Sequence, residues 1–167
     1  MTRSFRISES AFTGLEEGAA RHRVSLNTLV NQMFMSYSDL DRFFERSGYV
    51  KVPKSAFRRI LEHISEDDLA AAAQQSAEDE GKAIILAKYG TVSLFTVLDS
   101  FRTYVGYTSF AEYSQVLSPE GKRVITLMHN NGKKVSIWLS QNLISFLNMI
   151  KVHAKIILTD NAILIEV

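Results

Sequence analysis

Residues 2–8 read Thr-Arg-Ser-Phe-Arg-Ile-Ser, and residues 25–34 read Ser-Leu-Asn-Thr-Leu-Val-Asn-Gln-Met-Phe. In the first stretch Thr2, Ser4 and Arg6 fall on one face and Phe5 and Ile7 on the other, the alternation of a half-buried strand. Ser8 stands where a helix N-cap belongs, with Glu9 in the first turn. A helix is predicted over about 9–22, with Ala11, Phe12, Leu15 and Ala19 on one side. Gly14 and Gly18 each weaken it by roughly 1 kcal/mol relative to alanine, so it depends on tertiary packing. Ser25 is the next N-cap. From Leu26 the apolar positions Leu29, Val30, Met33, Phe34, Tyr37, Leu40, Phe43 and Phe44 follow helical spacing until Gly48, predicting one long helix over about 26–47.

A lone seven-residue strand would leave its backbone donors and acceptors unpaired. Two chains pairing these strands antiparallel would remove both edges and form a ribbon that fits the DNA major groove. The apolar stripe of the second helix is also too long for so small a unit to bury alone, which again points to a dimer. The segments RSFRISESAFTGLEE and VSLNTLVNQMF resemble the ribbon-helix-helix family, the MetJ and Arc type of DNA reader, over about residues 2–40. The resemblance implies an intermolecular two-stranded ribbon in a homodimer. It further implies that Thr2, Ser4 and Arg6 read bases, Arg6 being the best placed to grip guanine. Ser25, Leu26 and Asn27 would anchor a phosphate, as the free N–H groups and dipole of a helix start favour. Family members often have glycine between the helices, whereas this chain has Arg23-Val24-Ser25. A non-glycine residue must then adopt a glycine-favoured conformation, or the turn changes shape. Arg21, His22 and Arg23 would add phosphate contacts.

Net charge is +1, but its distribution is uneven. Residues 1–60 hold ten Lys/Arg against six Asp/Glu, residues 61–120 three against ten, and residues 121–167 six against two. A basic first third beside an acidic middle fits a local DNA footprint. There are no cysteines, which excludes disulfides, thiolate metal sites and cysteine nucleophiles. No stretch reaches the roughly 18–20 apolar residues of a membrane span, and MTRSFRISES lacks the apolar core of a secretory signal. A cytoplasmic location is expected.

Beyond Gly48, Pro53 suits the first turn of a helix carrying Phe57, Ile60, Leu61 and Ile64. Ser65 with Asp68 resembles a capping box opening an alanine-rich helix, with a break near Gly81. A further helix is predicted over about 92–105, then a turn-rich stretch over 107–121. Residues 124–128 read as a strand, Asn130-Asn131-Gly132 as a turn, 135–150 as an amphipathic helix, and 154–158 with 162–167 as a hairpin. The fold class is α+β: an N-terminal ribbon-helix-helix module over 1–48, then a mainly helical region over 49–167 ending in a β-α-β-β unit. No family resemblance attaches to the second region.

The four histidines lack metal-ligand spacing, so no metal or other cofactor is expected. His129, at a strand end, reads as turn-flanking or pocket-lining. Lys133-Lys134 could form an anion site or lie solvated, and Trp138 reads as core. The aromatic group Phe95, Phe101, Tyr104, Tyr107, Phe110 and Tyr113 suits a pocket, an interface or a core. The acidic run from Glu62 to Glu80 has no nucleophile, phosphate loop or metalloprotease pattern beside it, and no enzyme is expected. The function implied is a transcriptional regulator, a repressor by preference, that binds double-stranded DNA as a homodimer or higher oligomer. Its second region would stabilise the dimer, oligomerise or sense a small-molecule effector. The alternatives are an antitoxin that binds operator DNA and a toxin, and a dimeric protein-interaction module without DNA binding.

Overall fold

The computed structural model describes Ser4 and residues 6–167. The chain divides into two compact units, residues 1–42 and 43–167. The division falls inside the stretch read as one long helix rather than at Gly48.

In unit one, α1 spans Glu9–His22 and α2 spans Leu26–Ser36. The Ser8 hydroxyl accepts from the Ala11 N–H at 3.3 Å, and the Ser25 hydroxyl accepts from Thr28 at 3.0 Å. Each satisfies one of the donors that a helix start leaves orphaned. Between the helices Arg23 takes the left-handed conformation, φ 55° and ψ 42°. Its N–H bonds the Ala20 carbonyl at 3.1 Å, and the Val24 N–H bonds that of Ala19 at 3.0 Å. This is a Schellman closure with arginine in the position that usually falls to glycine. Gly18 lies where α1 meets α2, and a Cβ there would stand 3.1 Å from Leu29 Cδ2. The glycine that weakens α1 by propensity thus permits its close approach to α2.

The stretch from 26 to 47 is helical throughout, but in more than one hydrogen-bonding mode. After α2 come a π-helical turn over Tyr37–Asp41, the short α3 over Arg42–Phe44, and a 3-10 turn over Glu45–Ser47. Ser36 Oγ donates to Asp41 Oδ2 at 2.9 Å across the π turn. Gly48, at φ 68°, ends the run.

Unit two continues with α4 over Lys54–Glu62, α5 over Glu66–Ser76, a second π-helical turn over Ala77–Gly81, and α6 over Lys82–Tyr89. Then follow α7 over Leu94–Thr108, β1 over Glu112–Leu117, β2 over Arg123–Met128, α8 over Lys133–Met149, β3 over Lys155–Leu158 and β4 over Ala162–Glu166. Pro53 sits at the cap of α4, one position outside the first turn. Ser65 caps α5, and its hydroxyl donates to the Asp68 carboxylate while accepting from the Asp68 N–H. A full capping box opens α7, where Ser93 and Thr96 exchange side-chain and backbone bonds.

The four strands form one antiparallel sheet in the order β1-β2-β4-β3. Leu127 is paired with Ile163 and Ile125 with Ile165, so these four buried side chains alternate inward at matched register. They join Leu139, Leu143, Phe146 and Leu147 of α8 in one core. Helix α8 also contacts α4, α5 and α7, which makes it the element shared by the helices and the sheet.

Two expectations are corrected. The described strands all lie between residues 112 and 166, after the helices, and Ser4, Arg6, Ile7 and Ser8 belong to none. The N-terminal ribbon-helix-helix fold, with its intermolecular ribbon, is therefore not the architecture of this chain. Arg6 and Ile7 are both exposed, so Ile7, expected on the inward face of a half-buried strand, is not buried. Thr2 and Phe5 lie outside the described residues. The final unit is β-β-α-β-β rather than β-α-β-β, because 112–117 forms an edge strand instead of a turn. That strand is exposed at nearly every position and is held by backbone pairing with β2, so it carries little hydrophobic pattern.

Candidate functional site

The residues expected to hold phosphate meet at the start of α2. Arg21 and His22 occupy the last turn of α1, and Arg23 follows them in the left-handed turn. Ser25 caps α2, which has no acidic residue in its first turn. With Thr28 N bound to Ser25 Oγ and Leu29 N bound to Ser25 O at 3.0 Å, Leu26 and Asn27 sit where helix N–H groups have no intrahelical acceptor. Arg21, Arg23, Ser25 and Asn27 are exposed, and Leu26 is half-buried. Arg21, Arg23 and the Ser25-capped start of α2 thus lie within five residues of one another around a single turn, next to the positive end of the helix dipole. The expected base readers are not assembled: Ser4 and Arg6 are exposed and outside any strand, and Thr2 lies outside the described residues.

Helix α2 buries none of its residues despite its apolar composition. Met33, Phe34 and Met35, with Tyr37 of the following turn, are each more than half exposed. By helical spacing Met33 and Phe34 lie on the side of Tyr37, while Met35 points away from it, so the exposed apolar groups spread around much of the helix.

Unit two contains a cavity of 330 Å³. Its aromatic lining is Phe44, Tyr49, Phe101, Tyr104, Trp138 and Phe146. Of the aromatic group picked out in the sequence, Phe101 and Tyr104 reach it; Phe110 packs on Phe57 and Tyr104, and Phe95 lies largely in solvent. Trp138 is partly buried and lines the cavity rather than sitting wholly in the core. Burial, with the Tyr49 hydroxyl as neighbour and hydrogen-bond partner, holds the Tyr104 phenol well above its usual range, so it stays neutral. Gly81 matters here: a Cβ at that position would stand 2.6 Å from Phe146 Cζ.

His129 is half-buried and built into the turn after β2. Its Nδ1 accepts from the Asn131 N–H at 3.2 Å, which leaves Nε2–H facing the buried Ser136 hydroxyl at 3.0 Å. Burial pushes its pKa below the ordinary 6.5. The unfolded chain therefore binds a proton that the folded chain resists. Stability should be complete above about pH 6.5, fall as pH drops from there toward the folded-state pKa, and level off below it. Urea titrations of the wild type and His129→Gln across this range check the expectation, and the variant should show a flatter pH dependence.

The anion site considered at Lys133-Lys134 is already occupied by protein groups. Lys133 Nζ binds Glu66 Oε1 at 2.7 Å, and Lys134 Nζ donates to the carbonyls of Glu62, at 3.0 Å, and of Ile64. Lys134 thereby satisfies carbonyls at the end of α4. Among the described residues no group of three or more His, Asp or Glu side chains converges as a metal site.

Among the described residues no single helix is long and apolar enough to cross a membrane. The bent pair Glu66–Tyr89 and Leu94–Thr108 meets the length and composition alone, and Leu69, Ile85, Val97 and Val105 from it are buried in the core of unit two. No family model, curated protein or solved structure matches the chain.

Proposed function

We propose that the chain is a DNA-binding transcriptional regulator, a repressor by preference, acting in the cytoplasm as a homodimer. The observation that carries this reading is the α1–α2 turn, where Arg21 and Arg23 flank the Ser25-capped start of α2. A duplex backbone is a dense array of oxyanions, and a helix start flanked by arginines binds such a group. This grip needs no N-terminal ribbon. The uneven charge supports it, since the surplus of basic residues lies in the first third and the acidic middle would be repelled by DNA. The exposed apolar face of α2 supports a second copy, because two symmetric faces would bury what one helix leaves in water.

Titrating labelled duplex DNA with the full chain at several salt concentrations tests the reading. Binding should weaken steeply with salt, with a log–log slope of about −0.9 for each phosphate contact. Selection from random duplexes should then return a palindromic or tandem consensus if two copies bind together. Absence of binding at about 50 mM salt would remove the DNA reading. The exposed face of α2 would then favour the interaction module that dimerises without DNA.

A further inference from the structure

We propose that the cavity in unit two binds a small organic cation with an apolar body, held between aromatic faces and the Glu80 carboxylate. The cavity, at 330 Å³, falls at the small end of ligand sites, which run from about 300 to 1,000 Å³. Among the described residues that line it, Glu80 is the one charged group. An anion would face that carboxylate with no lysine, arginine or histidine in the lining to offset it. Glu80 is exposed, so its charge acts from the solvent side of the lining, and a cation would gain from that carboxylate and from the aromatic rings.

The rings that line the cavity pack against one another. Phe44 packs edge-on to Tyr49 at 4.7 Å and stacks on Tyr104 at 5.9 Å, and the two tyrosines share a hydrogen bond. Phe101 and Phe146, also in the lining, meet edge-to-face at 6.0 Å. Phe146 takes its place because position 81 is glycine. The π-helical turn over Ala77–Gly81 brings Glu80 and Gly81 into the lining together, and turns of this type concentrate at functional positions. Asn142 donates its Nδ2 to the Trp138 carbonyl at 3.0 Å, which leaves its Oδ1 as an acceptor in the lining. A primary or secondary ammonium could use that oxygen.

Trp138 is the chain's single tryptophan, so its fluorescence reports the cavity directly. The full chain would be titrated with benzyltrimethylammonium, with benzyl alcohol and with phenylacetate, by fluorescence and by calorimetry. The cation should bind about ten-fold or more tightly than either comparison compound. Glu80→Gln, at an exposed position, should reduce that preference by about two- to five-fold while leaving benzyl alcohol binding unchanged. Equal affinity for the three probes, preference for phenylacetate, or no binding of the cation up to about 10 mM would overturn the proposal. All measurements are made without DNA, so this inference and the DNA reading stand or fall separately.

Discussion

Leu143→Ala is expected to cost about 2–5 kcal/mol of stability. Leu143 is 1% exposed and lies in the middle of α8. That helix packs against α4, α5 and α7 as well as β3 and β4, so any collapse into the vacated space must move several elements together. The loss includes both the missing burial and the residual void. Since a domain's net stability is commonly 5–15 kcal/mol, a loss near the upper end would leave unit two marginal. Urea denaturation followed through Trp138, on the same helix, measures it. Leu158→Ala on edge strand β3, where the leucine is 43% exposed, should by comparison change stability by about 0.5 kcal/mol or less. Similar losses in the two variants would contradict α8 as the shared centre of the core.

Replacing both Arg21 and Arg23 by glutamate is expected to lower duplex affinity on the order of 100-fold. Two favourable phosphate contacts become repulsive ones, and like charges set together cost several kcal/mol, each 1.4 kcal/mol being a factor of ten. Arg23→Gly separates charge from conformation. A non-glycine residue in the left-handed region costs about 1–2 kcal/mol, while glycine loses about 0.4–1 kcal/mol through the freer unfolded chain. The glycine variant should therefore fold with equal or slightly greater stability, by up to about 1.6 kcal/mol. It should still bind DNA more weakly, with a shallower salt slope. Unchanged affinity in the double glutamate variant would mean that the α1–α2 turn does not face DNA.

Signals confined to a few neighbouring residues were the ones that could be read from sequence. Ser8, Ser25 and Ser65 each precede a helix and act as its cap, and Gly48 ends the helical run that it was expected to end. Asn130-Asn131-Gly132 and the 154–167 hairpin likewise follow from local turn chemistry. The misreadings arose where stability comes from elsewhere. Seven alternating residues at 2–8 describe a strand only when a partner strand supplies hydrogen bonds. Conversely, β1 is a strand because β2 pairs with it, although its own side chains stay mostly in solvent.

The candidate sites divide in the same way. The cationic turn was legible because Arg21, Arg23 and Ser25 are neighbours in the chain. The cavity was not, because Phe44, Glu80, Tyr104 and Trp138 come from separate elements that only folding brings together. Gly81 gave the one local hint, a glycine inside a helical pattern, and the Phe146 ring pressed against it supplies the physical reason. The roles of Lys133 and Lys134 were hidden for a similar cause, since their partners Glu66, Glu62 and Ile64 lie some seventy positions earlier.

The strand order has a consequence for synthesis on the ribosome. Strand β4 is inserted between β2 and β3, yet it is translated after both. Until residues 162–166 emerge, the β1–β2 hairpin presents an open inner edge, and Ile125 and Leu127 lack the neighbours that bury them. Such an edge is a template for pairing with another nascent chain. The interval between translation of β2 and of β4, which spans all of α8, is the time during which this edge stays open.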